Sequence, residues 1–107
     1  MFFHETEVWF CHLGINIGHE EAGKGDWFLR PVLILKKFND KVFWAIPLTK
    51  TFRTGKYYYS FYFKDNKSTA ILSQIRLLDA KRLRYKVGKI SKKNFFNIKQ
   101  KIKQLLA

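Results

Sequence analysis

A mostly β fold with a C-terminal helix, arranged as a small barrel, is the architecture this sequence predicts. Runs of β-branched and aromatic residues recur at short, regular spacing with turn residues between them, the pattern of a compact all-β domain. One run, Val32–Leu35, is aliphatic throughout and suits a strand covered on both faces. Only the last stretch changes period, with Phe95, Ile98, Ile102 and Leu105 recurring at steps of three and four, the spacing of one helix face.

Glu7–Leu13 is the first strand, with Val8, Trp9 and Phe10 as β-formers. A polar, glycine-studded loop from Gly14 leads to Arg30-Pro31. Proline at the first position of a strand removes no needed ladder donor and holds the preceding residue extended. Arg30 therefore stands on stiff backbone at the mouth of the strand Pro31–Phe38, and the loop reads as a lid over a site. Asn39-Asp40 turns the chain into Val42–Thr49, so these two runs form a hairpin. After the polar Lys50–Gly55 come the aromatic strand Lys56–Phe63, a turn at Lys64–Lys67 and a strand over Thr69–Arg76. Asp79–Leu83 reads as one helical turn capped by Asp79, and Lys86–Ile90 as the last strand. Ser91 caps the helix Lys92–Leu106, whose Lys93, Lys99, Lys101 and Lys103 fall off the apolar positions. That is the pattern of a docked helix with solvated lysines rather than one lying on a membrane.

At 107 residues the chain makes one domain with a thin margin of stability, which association with a second copy would widen. Its 21 Lys+Arg against 8 Asp+Glu give a formal charge of +13, and the expected partners are phosphodiester backbones or an acidic protein segment. Aromatic residues make up 18% of the chain. In Tyr57–Phe63 only Ser60 interrupts the rings, so one face packs inward and the other is left to stack. Stacking on unpaired bases contributes about 1–3 kcal/mol per base. The single cysteine, Cys11, excludes an intramolecular disulfide and fits a reducing compartment. With no membrane-length apolar run and neither a basic leader nor a cleavage site in MFFHETEVWF, a cytoplasmic location is expected.

His4, His12 and His19 are scattered over different elements, which does not suit zinc. Phosphate-loop, nucleophile-elbow and magnesium-binding acidic motifs are missing from the sequence. Nucleic-acid cleavage by such a chain is expected to need no metal. The route open to it uses the 2′-hydroxyl of RNA as nucleophile, with a base, a proton donor and a fixed cation beside the phosphorane. Glu20 or His19 in the loop, Arg30 and Thr49 are the candidates. The hairpin places Arg30 and Thr49 side by side, since one opens its first strand and the other closes its second.

The segments EVWFCHLG (7–14), GHEEAGK (18–24), RPVLIL (30–35), IPLT (46–49), LSQIRLLDAKRL (72–83) and KVGKI (86–90) resemble, in order and across nearly the whole chain, the MazF/PemK-like toxins of bacterial toxin–antitoxin pairs. The resemblance implies an SH3-like barrel that forms a homodimer and cuts single-stranded mRNA sequence-specifically without metal or other cofactor, with RNA in a groove along the dimer face. It also implies an acidic cognate antitoxin that blocks the groove. By motif position Arg30, Thr49 and Glu20 are the implied catalytic residues. Arg30 would stabilise the phosphorane and protonate the leaving oxygen, Thr49 would hold the scissile phosphate, and Glu20 would shape the loop or accept the 2′ proton. His19, Lys24, Lys50, Ser73, Gln74 and Arg76 are the implied RNA-binding set. Two departures stand out: GDWFL (25–29) lengthens the loop, and Ser73 occupies a position that is acidic in some PemK-like members. Two rival readings use the same barrel: a CcdB-like poison that traps gyrase, and a non-catalytic RNA-binding protein.

Overall fold

A computed structural model describes residues 2–13 and 29–107. The glycine-rich loop, with the expectations placed on His19, Glu20 and Lys24, lies outside the described residues. Among the described residues seven strands and one α-helix follow in order: β1 (Glu7–His12), β2 (Leu29–Lys37), β3 (Val42–Thr49), β4 (Tyr58–Phe63), β5 (Asn66–Ile71), β6 (Arg76–Asp79), β7 (Leu83–Lys89) and α1 (Lys92–Leu106). The predicted mostly β architecture with its closing helix is the one found.

β2 is hydrogen-bonded to β1 on one side and β3 on the other. Its Leu33 and Leu35 enter one apolar cluster and its Val32 and Ile34 a second, so the aliphatic run is covered on both faces because the sheet has a core on each. Burying a side chain such as Leu33 or Ile34 contributes about 1.5–3 kcal/mol. The first cluster lies under α1, which buries Phe95 and Ile98 against it and packs Ile102 and Leu105 at its edge. The second gathers Phe3, Trp9, Cys11, Phe43 and Leu78. Ser91 caps the helix as expected, its Oγ accepting from the Asn94 N–H at 3.0 Å. The Asn39 side chain closes the β2–β3 turn by accepting from the N–H groups of Lys41 (2.7 Å) and Val42 (3.0 Å).

The sheet runs β4-β5-β3-β2-β1-β7, and β6 pairs with β3. Along its outer edge β3 therefore serves two partners, β6 over Val42–Ala45 and β5 over Leu48–Thr49. Pro47 falls in the gap between them, where an absent N–H costs nothing on that edge.

Several boundaries differ from the sequence reading. The strand expected over Thr69–Arg76 is two strands, β5 and β6, separated by a 3₁₀ turn at Leu72–Gln74. The chain must change partners along β3 there, a long-range demand with no glycine or proline to announce it. The turn after β4 is two residues, Lys64 and Asp65, both at positive φ (52° and 65°), and Asn66 and Lys67 already belong to β5. β2 begins at Leu29, so Arg30 lies within it, paired with Cys11, and Pro31 is paired with Phe10. Asp79 ends β6 and caps the next turn through the Lys81 N–H at 2.7 Å, and β7 starts at Leu83 rather than Lys86.

Candidate RNA-cleaving site

The site grows from the open end of the β2–β3 hairpin. Sheet pairing proceeds Ile34↔Ala45, Leu33↔Ile46, Val32↔Pro47, and continuing the register brings Arg30 level with Thr49. Side chains alternate between faces along a strand, so Arg30 follows Val32 and Ile34, and Thr49 follows Ala45 and Pro47, onto one face of the sheet. Arg76 is paired with Ala45 across the β3–β6 ladder, and Gln74 closes the 3₁₀ turn between β5 and β6. These elements meet around a cavity of about 520 Å³ lined by Arg30, Thr49, Lys50, Arg53, Gln74 and Arg76 over an apolar floor that includes Pro31, Pro47 and Ile71.

Four of those side chains are cationic and no carboxylate is among the described lining residues. Such a concavity suits a polyanion. The Thr49 hydroxyl oxygen accepts weakly from the Thr51 N–H at 3.4 Å, which leaves its own proton to donate. Arg53 places its guanidinium 5.8 Å from the Tyr58 ring, a cation–π distance that carries the basic lining toward the aromatic β4.

Cys11, beside Arg30 in the β1–β2 ladder, is fully buried. Burial pushes its thiol up to about 11 against the pull of Arg82, Arg76 and Arg84. A neutral, inaccessible thiol is packing, as its place in the sequence suggested.

Of the residues singled out from sequence, Arg30, Thr49, Lys50, Gln74 and Arg76 come together in this cavity. Ser73 does not. It lines a separate hollow beside the C-terminal half of α1, with Tyr57, Ile102 and Leu105, because successive residues of a 3₁₀ turn point about a third of a turn apart. Arg53 was not singled out, and its only signal in sequence is a guanidinium in the polar segment just after Thr49. On β4, Phe61 is buried with Tyr59 and Phe63 against the first cluster, while Tyr62 is exposed, the two-faced arrangement its alternation predicted.

The described residues thus form an open antiparallel half-barrel with a helix on one side and a cationic cavity at one strand end. The family model described as PemK-like, MazF-like toxin of type II toxin-antitoxin system matches residues 4–106, and the chain belongs to that family. Among solved structures, a mycobacterial endoribonuclease in complex with its cognate antitoxin is similar in fold, with a TM-score of 0.74 at 19% identity over 95% of this chain and 92% of that one. The Mycobacterium tuberculosis toxin MazF-mt6 gives a TM-score of 0.71 at 14% identity, covering 94% of this chain and 95% of that one. Comparison with curated protein sequences returned no match. Among the described residues no helix is long and apolar enough to cross a membrane.

Proposed function

We propose that the chain is a cytoplasmic, sequence-selective endoribonuclease that cuts single-stranded mRNA by attack of the 2′-hydroxyl on the adjacent phosphate, with no metal in the chemistry. The observation that carries this reading is the convergence of Arg30, Thr49, Gln74 and three further cations on one cavity free of described carboxylates. Arg30 stabilises the pentavalent phosphorane, where a positioned donor or charge is worth about 10²–10³ in rate. Thr49 donates to a non-bridging oxygen and fixes the phosphate for in-line attack. Lys50, Arg53 and Arg76 hold the flanking phosphates. On motif position alone Glu20 is assigned as acceptor of the 2′ proton or as the residue that shapes its loop, and His19 and Lys24 as RNA-binding residues.

The partners follow from charge and surface. A chain of charge +13 suits an antitoxin whose acidic segment lies across the basic cavity and excludes RNA. For the second copy in a homodimer we assign the exposed apolar patch of Phe38, Trp44 and Leu77. Trp44 pairs with Leu77 across the β3–β6 ladder, and its ring meets Phe38 edge-on at 5.1 Å.

The test is incubation of the purified protein with a long RNA in EDTA. Discrete fragments with 5′-hydroxyl ends, abolished by a 2′-deoxy substitution at the mapped site, are expected. Intact RNA together with gyrase binding would instead favour the poison reading, and intact RNA bound with steep salt dependence the non-catalytic one.

A further inference from the structure

Beside the cationic cavity, and sharing Phe10, Pro31, Leu48, Thr49 and Lys50 with it, a smaller slot of about 230 Å³ enters the barrel between the start of β5 and the β1–β7 side. Its floor is Val8 and Leu48, both buried core residues. Phe10, whose ring is stacked on Tyr85 at 5.1 Å, and Phe63 are the aromatic residues of its lining. A mostly apolar concavity with a few placed polar groups is the general form of a small-ligand site.

The polar group that matters is Ser68. It is 9% exposed and lines the slot, on the same strand face as the buried Ala70. Its hydroxyl makes no hydrogen bond with any described residue, in contrast to its neighbour Thr69, whose hydroxyl is 2.7 Å from that of Ser60 on the other face. A buried hydroxyl left without a partner is costly, which makes an unpaired donor and acceptor in an apolar slot unusual. Asn66, exposed at the rim, spends its amide nitrogen on the Lys64 carbonyl at 3.2 Å, and its side-chain oxygen has no partner among the described residues.

We propose that this slot receives one nucleobase flanking the scissile phosphate, held between Phe10 and Phe63 and read at its polar edge by the Ser68 hydroxyl and the Asn66 oxygen. The inference rests on the endoribonuclease reading and adds to it a residue that selects sequence. A planar heterocycle suits such a lining, with apolar faces for the phenyl rings, a hydrogen-bonding edge for Ser68 and a sugar-phosphate that stays outside. Single-stranded RNA offers its bases in this way, splayed from the stack and read on their edges. Thr49 and Lys50 line both the slot and the cavity, so the two hollows adjoin at the end of β3.

The experiment maps fragment 5′ ends on a long RNA for the wild type, Ser68→Ala and Ser68→Val. It then measures binding of a site oligonucleotide carrying a 2′-deoxy block and an abasic replacement at each position in turn. The wild type is expected to lose about tenfold or more in affinity at one abasic position next to the block, the combined worth of the stacking and polar contacts of one base. Ser68→Val, which plugs the slot, should erase that difference, and Ser68→Ala should relax base preference at that position alone. An unchanged map and an unchanged abasic profile in both variants would overturn the slot assignment while leaving the nuclease in place. A wild type that cuts no RNA would overturn both readings. Ser68→Ala removes one oxygen and leaves the core filled, so it decides the matter if Ser68→Val fails to fold.

Discussion

Arg30 and Thr49 stand level with each other on adjacent strands, each two residues beyond the last β2–β3 pair, Val32↔Pro47, and both line one cavity. Neither is needed by the core: Arg30 is exposed and Thr49 half-buried. If they act on the phosphorane, Arg30→Ala and Thr49→Ala should each slow single-turnover cleavage of a mapped oligonucleotide by about 10²–10⁴. Affinity for a 2′-deoxy-blocked oligonucleotide should stay within about tenfold, since charge stabilisation is spent in the transition state. Thr49→Ser, which keeps the hydroxyl, should recover most of the rate. Two alanine variants of wild-type activity would remove both residues from the mechanism.

Cations that hold flanking phosphates have another signature. Lys50→Ala, Arg53→Ala and Arg76→Ala should each lower the slope of log K against log salt for single-stranded RNA by about 0.7, the counterion release of one phosphate contact. Cleavage at saturating RNA should change less than in the Arg30 variant. Arg53 is the informative member, because only the folding of the segment after β3 brings it to the cavity.

That contrast marks where the sequence was readable. The β2–β3 hairpin was legible because its determinants are local: an aliphatic run, Asn39 at the turn, and Pro31 and Pro47 near the ends of their strands. Once the hairpin is read, the nearness of Arg30 and Thr49 follows from counting residues. The helix was legible too, since Ser91 and the spacing of Phe95, Ile98, Ile102 and Leu105 are all within one element. What escaped was long-range. β3 pairs with two different strands along one edge, and only that competition breaks Thr69–Arg76 at Leu72 and turns Ser73 away from Gln74. The slot beside Ser68 joins β1, β3, β5 and β7, and no periodicity within any one of them reports it.

The apolar patch makes a prediction separable from folding. Trp44 and Leu77 are 43% and 61% exposed in the single chain, so Trp44→Lys or Leu77→Lys should leave the packing of the single chain nearly intact, surface changes being worth about 0.5 kcal/mol or less, and the variants should keep a native circular dichroism spectrum. Sedimentation equilibrium should nonetheless find the wild type dimeric and the variants monomeric. A dimer that persists in both variants would place the interface elsewhere.

Glu7 is the group whose protonation is expected to weaken the fold in acid. Its buried carboxylate accepts from the Trp9 indole N–H and the His4 backbone N–H, both at 2.9 Å, and lies 3.1 Å from Lys86 Nζ. Burial alone would raise its pKa, but these donors together hold it down at about 2, against an ordinary value of 4.5. A depressed carboxylate stabilises the native state in full above its unfolded pKa and loses that contribution as pH falls toward the folded one. Unfolding free energy should thus decline by about 3 kcal/mol from this group between roughly pH 5 and pH 2. Glu7→Gln should be less stable at neutral pH and show a shallower acid decline. Parallel acid profiles for the two proteins in urea titrations would show that Glu7 is not the group responsible.

The tip of the β4–β5 hairpin is clasped to β7 where no ladder joins them. Lys64 Nζ donates to the Val87 carbonyl, and the lysine stem crosses directly over Gly88. A Cβ at Gly88 would come within 2.9 Å of Lys64 Cε and 3.2 Å of Phe63 Cζ. The lysine end can swing away and the phenyl ring can give only slightly, so Gly88→Ala should release the Lys64 bond and cost about 1 kcal/mol, the net worth of one such hydrogen bond with minor repacking. Lys64→Ala should cost a similar amount. In the double variant the clash with the lysine is gone, and the two effects should fall short of their sum by about 0.5 kcal/mol or more, the sign of side chains in direct contact. Additive losses in a urea-denaturation cycle would mean that the clasp is absent in solution and that the hairpin tip is held to the barrel by Phe63 alone.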